Sequence, residues 1–258
     1  FFTPSKVADR AGSGGAALAV WAAGGAVALL GALTFAELGA RIPEAGGQFR
    51  ALKDAFGRRF GFVYAIVVGV GESCAAIAIL ALICVRNLGV AAGTTADAEE
   101  ATLYACGLTL AAYGLAAAGV RQGATALNVN VVVKLATAAA IAIFAATATP
   151  DTAAIAAPPP PRVDGGGFGA VYAAFLPALF AYGGWQQTLW IGGSVRDPSR
   201  NLPRGVIGGT CVVVAAYMTL NVAYMAMLGY EGAARSQAIA ADAASVAFAG
   251  AGRIVGAC

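Results

Sequence analysis

The feature that most constrains this chain is an apolar run long enough to enter a bilayer and yet built to break. Residues 175–203 read FLPALFAYGGWQQTLWIGGSVRDPSRNLP, with Pro177, Gly183, Gly184, Gly192 and Gly193 along the run. Each interior glycine costs a helix about 1 kcal/mol relative to alanine. Backbone groups freed by a break find no water in hydrocarbon. Irregular backbone therefore persists at that depth only where protein or a watery cavity surrounds it. Two readings are open: a helix kinked so that glycines admit close neighbours, or a discontinuous helix whose freed amides and carbonyls line a site.

The rest of the chain is equally apolar. Hydrophobic residues make up 59% of the 258 and charged residues 11%, and the mean hydropathy is +0.75. These values exclude a soluble enzyme and call for a multi-span, all-α integral membrane protein. Histidine is absent, so no His-centred metal site or Ser–His relay is available, and no catalytic residue, metal or cofactor is expected. Cys74, Cys84, Cys106 and Cys211 sit inside apolar runs without CxxC spacing and read as small apolar residues. The chain opens on Phe1 and Phe2 without a signal-peptide pattern, and closes at Cys258 as a further apolar run begins. Both ends are expected to be cut.

Windows of about 20 apolar residues divide the sequence into a remnant at 1–8 and spans at 17–38, 60–85, 103–120, 126–148, 168–191 and 206–228, within one transmembrane domain. Arg41, Arg50, Lys53, Arg58, Arg59, Arg121, Arg196, Arg200 and Arg204 fall in loops on one side. Lys6, Arg10, Arg86, Arg162, Arg235 and Arg253 fall on the other. The larger and more clustered set marks the cytoplasmic face. The net charge of +3 belongs to those short loops and gives no ground for nucleic-acid binding. The inner loop at 43–59 carries Phe49, Leu52 and Phe56 at helical spacing, as an amphipathic helix at the membrane face would. The four prolines at 158–161 favour an extended outer linker. Asn201 stands where the helix after the RDPSRNLP loop is expected to start.

Two ionisable groups lie well inside predicted spans, Glu72 in the third and Lys134 in the fifth. A charge at the bilayer centre costs about 2.5–3.5 kcal/mol on insertion scales, so such groups face a partner or a watery cavity. Burial favours the neutral form of each, as a proton-coupling group requires; a buried pair fixing helix register is the alternative. Glu37 stands at the inner end of its span, one turn from Arg41, where a structural pair is expected. Trp21, Tyr64, Tyr104, Trp190 and Tyr230 read mostly as an interfacial belt. Tyr182 and Trp185 flank the break instead.

Several motifs then agree. FAYGGWQQ at 180–187 and VRDPSRNLPRG at 195–205 resemble the sixth span and adjoining inner loop of amino-acid permeases of the amino acid–polyamine–organocation superfamily, near its L-type amino acid transporter branch. FAELGARIPEAGGQF at 35–49 is similar to that family's second span and first inner loop. AYMTLNVAYMAMLG at 216–229 is similar to its seventh span, and ADAASVAFAGAGRIVG at 241–256 to the lead into its eighth. FFTP at the start resembles the segment just past the glycine-rich break of its first span.

The resemblance implies a partial LeuT-like inverted-repeat fold, running from the end of the first span into the eighth. It implies secondary active transport of amino acids by alternating access, proton-coupled or by exchange, in a multi-pass protein of the plasma membrane. Carried over, it places Phe180, Ala181, Tyr182, Gly183, Gly184 and Trp185 around the substrate and makes Lys134 the proton-coupling residue. Glu72 departs from the family, which more often has an uncharged residue there. It stands open as a counter-charge to substrate, a proton site or a peculiarity of this lineage. Ser194 replaces an acidic residue of the family pattern, and the loop at 86–101 lacks the cysteine that would hold a disulfide-linked heavy subunit. The partners implied are an amino-acid substrate, protons and the lipid bilayer, with no nucleic acid and no disulfide-linked subunit. Two other readings stay open: a permease-derived membrane protein that does not transport, and a retinal-binding photoreceptor with Lys134 as its Schiff base.

Overall fold

The computed structural model describes residues 3–42, 46–94, 97–117, 120–147, 168–236, 239–240, 242–243 and 245–246. The proline-rich linker expected at 148–167 and most of the stretch at 241–256 lie outside them. Among the described residues every regular element is helical. In chain order they are α1 (Thr3–Ala11), α2 (Gly14–Arg41), α3 (Gly47–Phe56), α4 (Arg58–Ile66), a π-helical segment (Val67–Ser73), α5 (Cys74–Ala92), α6 (Ala98–Ala117), α7 (Val120–Thr147), α8 (Phe168–Tyr182), a 3₁₀ segment (Trp185–Ser194) and α9 (Pro198–Arg235). Among the described residues four stretches are long and apolar enough to cross a membrane: Gly14–Arg41, Arg58–Gly89, Leu127–Ala145 and Pro198–Arg235. With 15 residues, α8 rises only about 22 Å, short of the ~30 Å hydrocarbon core.

The chain forms two compact units, one from Phe1–Gly47 with Leu135–Cys258 and one from Gln48–Lys134. In the first, α2 starts where the Ser13 hydroxyl accepts the Ala16 N–H at 3.1 Å, satisfying one of the amides that a helix start leaves free. Its buried positions are almost all small: Gly24, Gly25, Ala28, Ala32, Ala36 and Gly39. Their spacing of three and four residues puts them on one stripe, which lets neighbouring backbones approach. A Cβ at Gly25 would lie 2.8 Å from Val214 of α9, and one at Gly24 would lie 3.3 Å from the Tyr182 ring of α8. The core above this stripe gathers Val7, Trp21, Ala174, Ala178, Tyr182 and Met225. A second cluster joins Ile141 and Ala145 of α7 to Leu220 and Tyr224 of α9.

Two expectations change here. Trp21 is not part of an interfacial belt: it is fully buried, stacked on Tyr217 at 5.1 Å and edge-on to Tyr182 at 5.4 Å. The helix after the inner loop starts at Pro198, with Asp197 as its cap in left-handed backbone (φ 48°). Asn201 lies in the first turn, where its side-chain amide donates to the Arg196 carbonyl at 2.6 Å and its N–H donates to the Asp197 carbonyl. Further along, α9 leaves helical geometry at Gly229 (φ 68°, ψ 170°).

In the second unit, α3 carries an exposed Arg50–Asp54 ion pair at 2.8 Å and Phe56 with most of its surface open. The run from α4 through the π segment into α5 is scarcely covered by protein. α5 packs on α6 through Ala81, Val85, Ala101 and Ala105, whose small side chains set a close approach.

Candidate substrate site

The candidate site is built where α8 stops. Pro177 lies within α8 and has no N–H for the carbonyl four residues back. Arg10 of α1 donates to that carbonyl, Ala173 O, at 2.9 Å, so the proline is accommodated and the helix continues to Tyr182. The break itself falls at Gly183 and Gly184. Gly184 adopts φ 110°, ψ −20°, left-handed backbone that favours glycine, and the chain resumes as the 3₁₀ segment.

The hydrogen bonds show how partially the break is closed. Gly183 N–H donates to Phe180 O at 3.3 Å, and Gln187 N–H donates to Gly184 O at 3.1 Å. Gly184 N–H donates to the Gln186 side-chain oxygen at 3.0 Å. Among the described residues the Ala181 and Tyr182 carbonyls and the Trp185 N–H make no backbone hydrogen bond across the gap. A helix C-terminus carries partial negative charge and an N-terminus partial positive charge. Facing ends in one gap thus offer acceptors to an ammonium and donors to a carboxylate.

The side chains sort by burial. Phe180 is 64% exposed and Tyr182 only 3%; Gly183 and Gly184 are exposed, and Ala181 and Trp185 are half-buried. The Tyr182 ring belongs to the core, edge-on to Trp21 and to Tyr217 at 5.4 Å, and its hydroxyl is buried without a hydrogen-bond partner among the described residues. What Tyr182 offers at the break is its carbonyl. Trp185 lies edge-on to Phe35 of α2 at 5.0 Å and directly over Gly31, where a Cβ would come within 2.6 Å of its ring.

Phe180 to Trp185 thus form one local constellation in the first unit. Glu72 and Lys134 belong to the second: Glu72 on the π segment and Lys134 on α7. Lys134 and Glu72 are both exposed, and among the described residues they are not paired with each other. The π segment went unread in the sequence, although Gly69 and Gly71 in VVGVGES are a signal for irregular helix, and π geometry recurs at functional sites. Arg10 and the small-residue stripe of α2 were also missed. The alternation of glycine and alanine at 24–39 was the available clue to the stripe.

A fold that is all-helical among the described residues, with membrane-length apolar stretches and one apolar run broken in mid-course, defines the class, a multi-span integral membrane protein. The chain belongs to the amino acid permease family, whose sequence profile matches residues 1–257. It is 29% identical over 259 residues to b(0,+)-type amino acid transporter 1 of Mus musculus, covering 93% of this chain and 50% of that protein. It is 28% identical over 241 residues to the serine/threonine exchanger SteT of Bacillus subtilis, covering 88% and 50%. To the large neutral amino acids transporter small subunit 2 of Oryctolagus cuniculus it is 30% identical over 246 residues, covering 93% and 46%. The chain therefore spans about half the length of the curated relatives it matches.

Proposed function

We propose that this chain is the substrate-binding part of a secondary active amino-acid transporter of the plasma membrane, working by alternating access. The observation that carries the proposal is the break between Tyr182 and Trp185. Among the described residues it leaves two carbonyls and an amide without backbone partners in an apolar run, and the proposed role requires no covalent chemistry. The ammonium of a zwitterion takes the Ala181 and Tyr182 carbonyls, and its carboxylate takes the amide end of the 3₁₀ segment and further backbone. Phe180, the exposed aromatic beside the gap, covers the bound substrate, and Trp185 floors it. Discontinuous helices at repeat interfaces serve transporters in this way.

Lys134 is assigned to coupling, because it is a cation within a stretch apolar enough to cross a membrane, where such a charge faces a partner or a watery cavity. Glu72, on irregular backbone, is assigned to the same task or to a cationic substrate. Residues 86–101, which the structure divides among the end of α5, the connection and the start of α6, hold no cysteine, so no disulfide-linked subunit is assigned there.

The test is uptake of labelled neutral amino acids by the full chain in proteoliposomes, together with equilibrium binding. A Cβ at Gly183 meets only the Phe180 and Leu179 carbonyls, at 3.3 and 3.8 Å, so Gly183→Leu extends into the gap without striking the core. The expected result is loss of substrate binding by at least tenfold with normal folding. Unchanged affinity in that variant would remove the break as the site.

A further inference from the structure

Where α5 crosses α6 in the second unit, two adjoining clefts of about 540 and 420 Å³ open on the helix faces. The larger is bounded by Cys74, Ala78 and Leu82 on α5 and by Thr102, Cys106 and Leu110 on α6. Its volume falls in the range of about 300–1,000 Å³ typical of ligand pockets. The two threonines add almost no polarity, because their hydroxyls donate to carbonyls of their own helix: Thr102 to Ala98 at 2.7 Å and Thr109, shared by both clefts, to Ala105 at 2.8 Å. The lining is therefore apolar along its whole length, while one end is not.

That end is set by helical register. Arg86 stands one turn beyond Leu82 on α5, and Glu99 stands one turn before Thr102 on α6, each continuing the stripe that borders the cleft. Both are exposed, and among the described residues neither has an ion-pair partner. Side chains on a helix lean toward its N-terminus. Arg86 therefore leans back toward the cleft, while Glu99 leans away from it and outward. From the cleft outward, the order is apolar wall, cation, anion. From Cys74 to Arg86, α5 rises about 18 Å, close to the ~15 Å depth of one leaflet of a bilayer's hydrocarbon core.

We infer that this cleft is a site for a phospholipid with a phosphoethanolamine headgroup. One acyl chain lies along Cys74, Ala78 and Leu82. The phosphate meets the Arg86 guanidinium, which suits phosphate by its planar fork of donors. The primary ammonium, next along the headgroup, meets the Glu99 carboxylate. Charge order selects the lipid: a headgroup bearing only negative charge satisfies Arg86 and is repelled by Glu99. A quaternary choline has no N–H to donate to the carboxylate.

The experiment uses the full chain in nanodiscs containing phosphatidylethanolamine with a photoactivatable diazirine in its acyl chain, followed by peptide mapping. Labelling is expected on the α5 and α6 peptides that contain Ala78 and Cys106. Unlabelled phosphatidylethanolamine should compete at least fivefold better than phosphatidylcholine or phosphatidylglycerol. Arg86→Gln and Glu99→Gln should each lower labelling severalfold, and Ala78→Phe, which fills the cleft, should abolish it in protein that still elutes as a single species. Equal competition by all three lipids means annular lipid only and overturns the inference. Absence of label on these peptides means that polypeptide covers the cleft, and overturns it as well.

Discussion

Gly31 and Trp185 show how much a single atom decides at the residue scale. Any Cβ on residue 31 would sit 2.6 Å from two ring carbons of Trp185, well inside van der Waals contact. Gly31→Ala must therefore push the indole off Phe35, at an overpacking cost of about 1–3 kcal/mol. The expected result is a lower melting temperature in detergent, restored when Trp185→Leu is added. An unchanged melting temperature for Gly31→Ala would mean that the indole does not lie over the glycine. At Lys134 the argument is electrostatic. A cation deep in a span is costly unless a partner or a watery cavity faces it, so Lys134→Ala in the full chain is expected to lower uptake at least tenfold and flatten its pH dependence, with surface expression intact. Glu72→Gln separates the two charges: loss of the same pH dependence assigns both to coupling, whereas loss only for cationic amino acids assigns Glu72 to substrate. Identical pH profiles for Lys134→Ala and the parent would falsify the coupling role. Residue chemistry of this kind was legible early, because charge and glycine content are written in the sequence. Trp21 was misread because a sequence gives the depth of a side chain along a helix but not the neighbours that claim its face. Those neighbours, Tyr182 and Tyr217, come from distant parts of the chain.

The elements divide in the same way. The interruption of the sixth apolar run could be read from Gly183 and Gly184, since paired glycines in an apolar stretch remove helix propensity where no turn is needed for solubility. What could not be read is which glycine carries the strain. Gly184 alone has positive φ (110°), while Gly183 does not. Gly184→Ala is therefore expected to destabilise by about 1–2 kcal/mol, the cost of left-handed backbone for an L-residue, and Gly183→Ala by less. Thermal unfolding of the two variants side by side checks this, and equal losses would place the turn elsewhere. The start of α9 illustrates a second limit. Asn and Asp both suit a helix cap, but the Asp197 side chain makes no cap hydrogen bond; the start is set by Pro198 behind it, whose fixed φ suits the first helical position. The π segment at Val67–Ser73 depends on which carbonyl each amide chooses, and hydropathy patterns leave that choice open. Glu37 and Arg41, one turn apart, do form the structural pair expected of them. Both are largely exposed, so the pair adds little to stability.

At the scale of the molecule, the arrangement of charge along the chain decides how it sits in a bilayer. The stretch Arg58–Gly89 is barely covered by protein, and its exposed side chains include Phe60, Phe62, Val63, Ile66, Val67 and Val70. A surface of that kind is stable against lipid and not against water. Arg58 and Arg59 stand at one end of this stretch, while the other end leads to the turn at Gly93 and the acidic first turn of α6, with Glu99 and Glu100. Basic residues are retained on the cytoplasmic side during insertion, so Thr94 is expected outside and the start of α9, with Arg196 just before it and Arg200 and Arg204 in its first turns, inside. Single cysteines introduced into a cysteine-free full chain test this in intact cells. Thr94→Cys is expected to react with a membrane-impermeant maleimide, and Ser199→Cys is expected to react only after the membrane is opened. Labelling of Ser199→Cys in sealed cells would invert the chain.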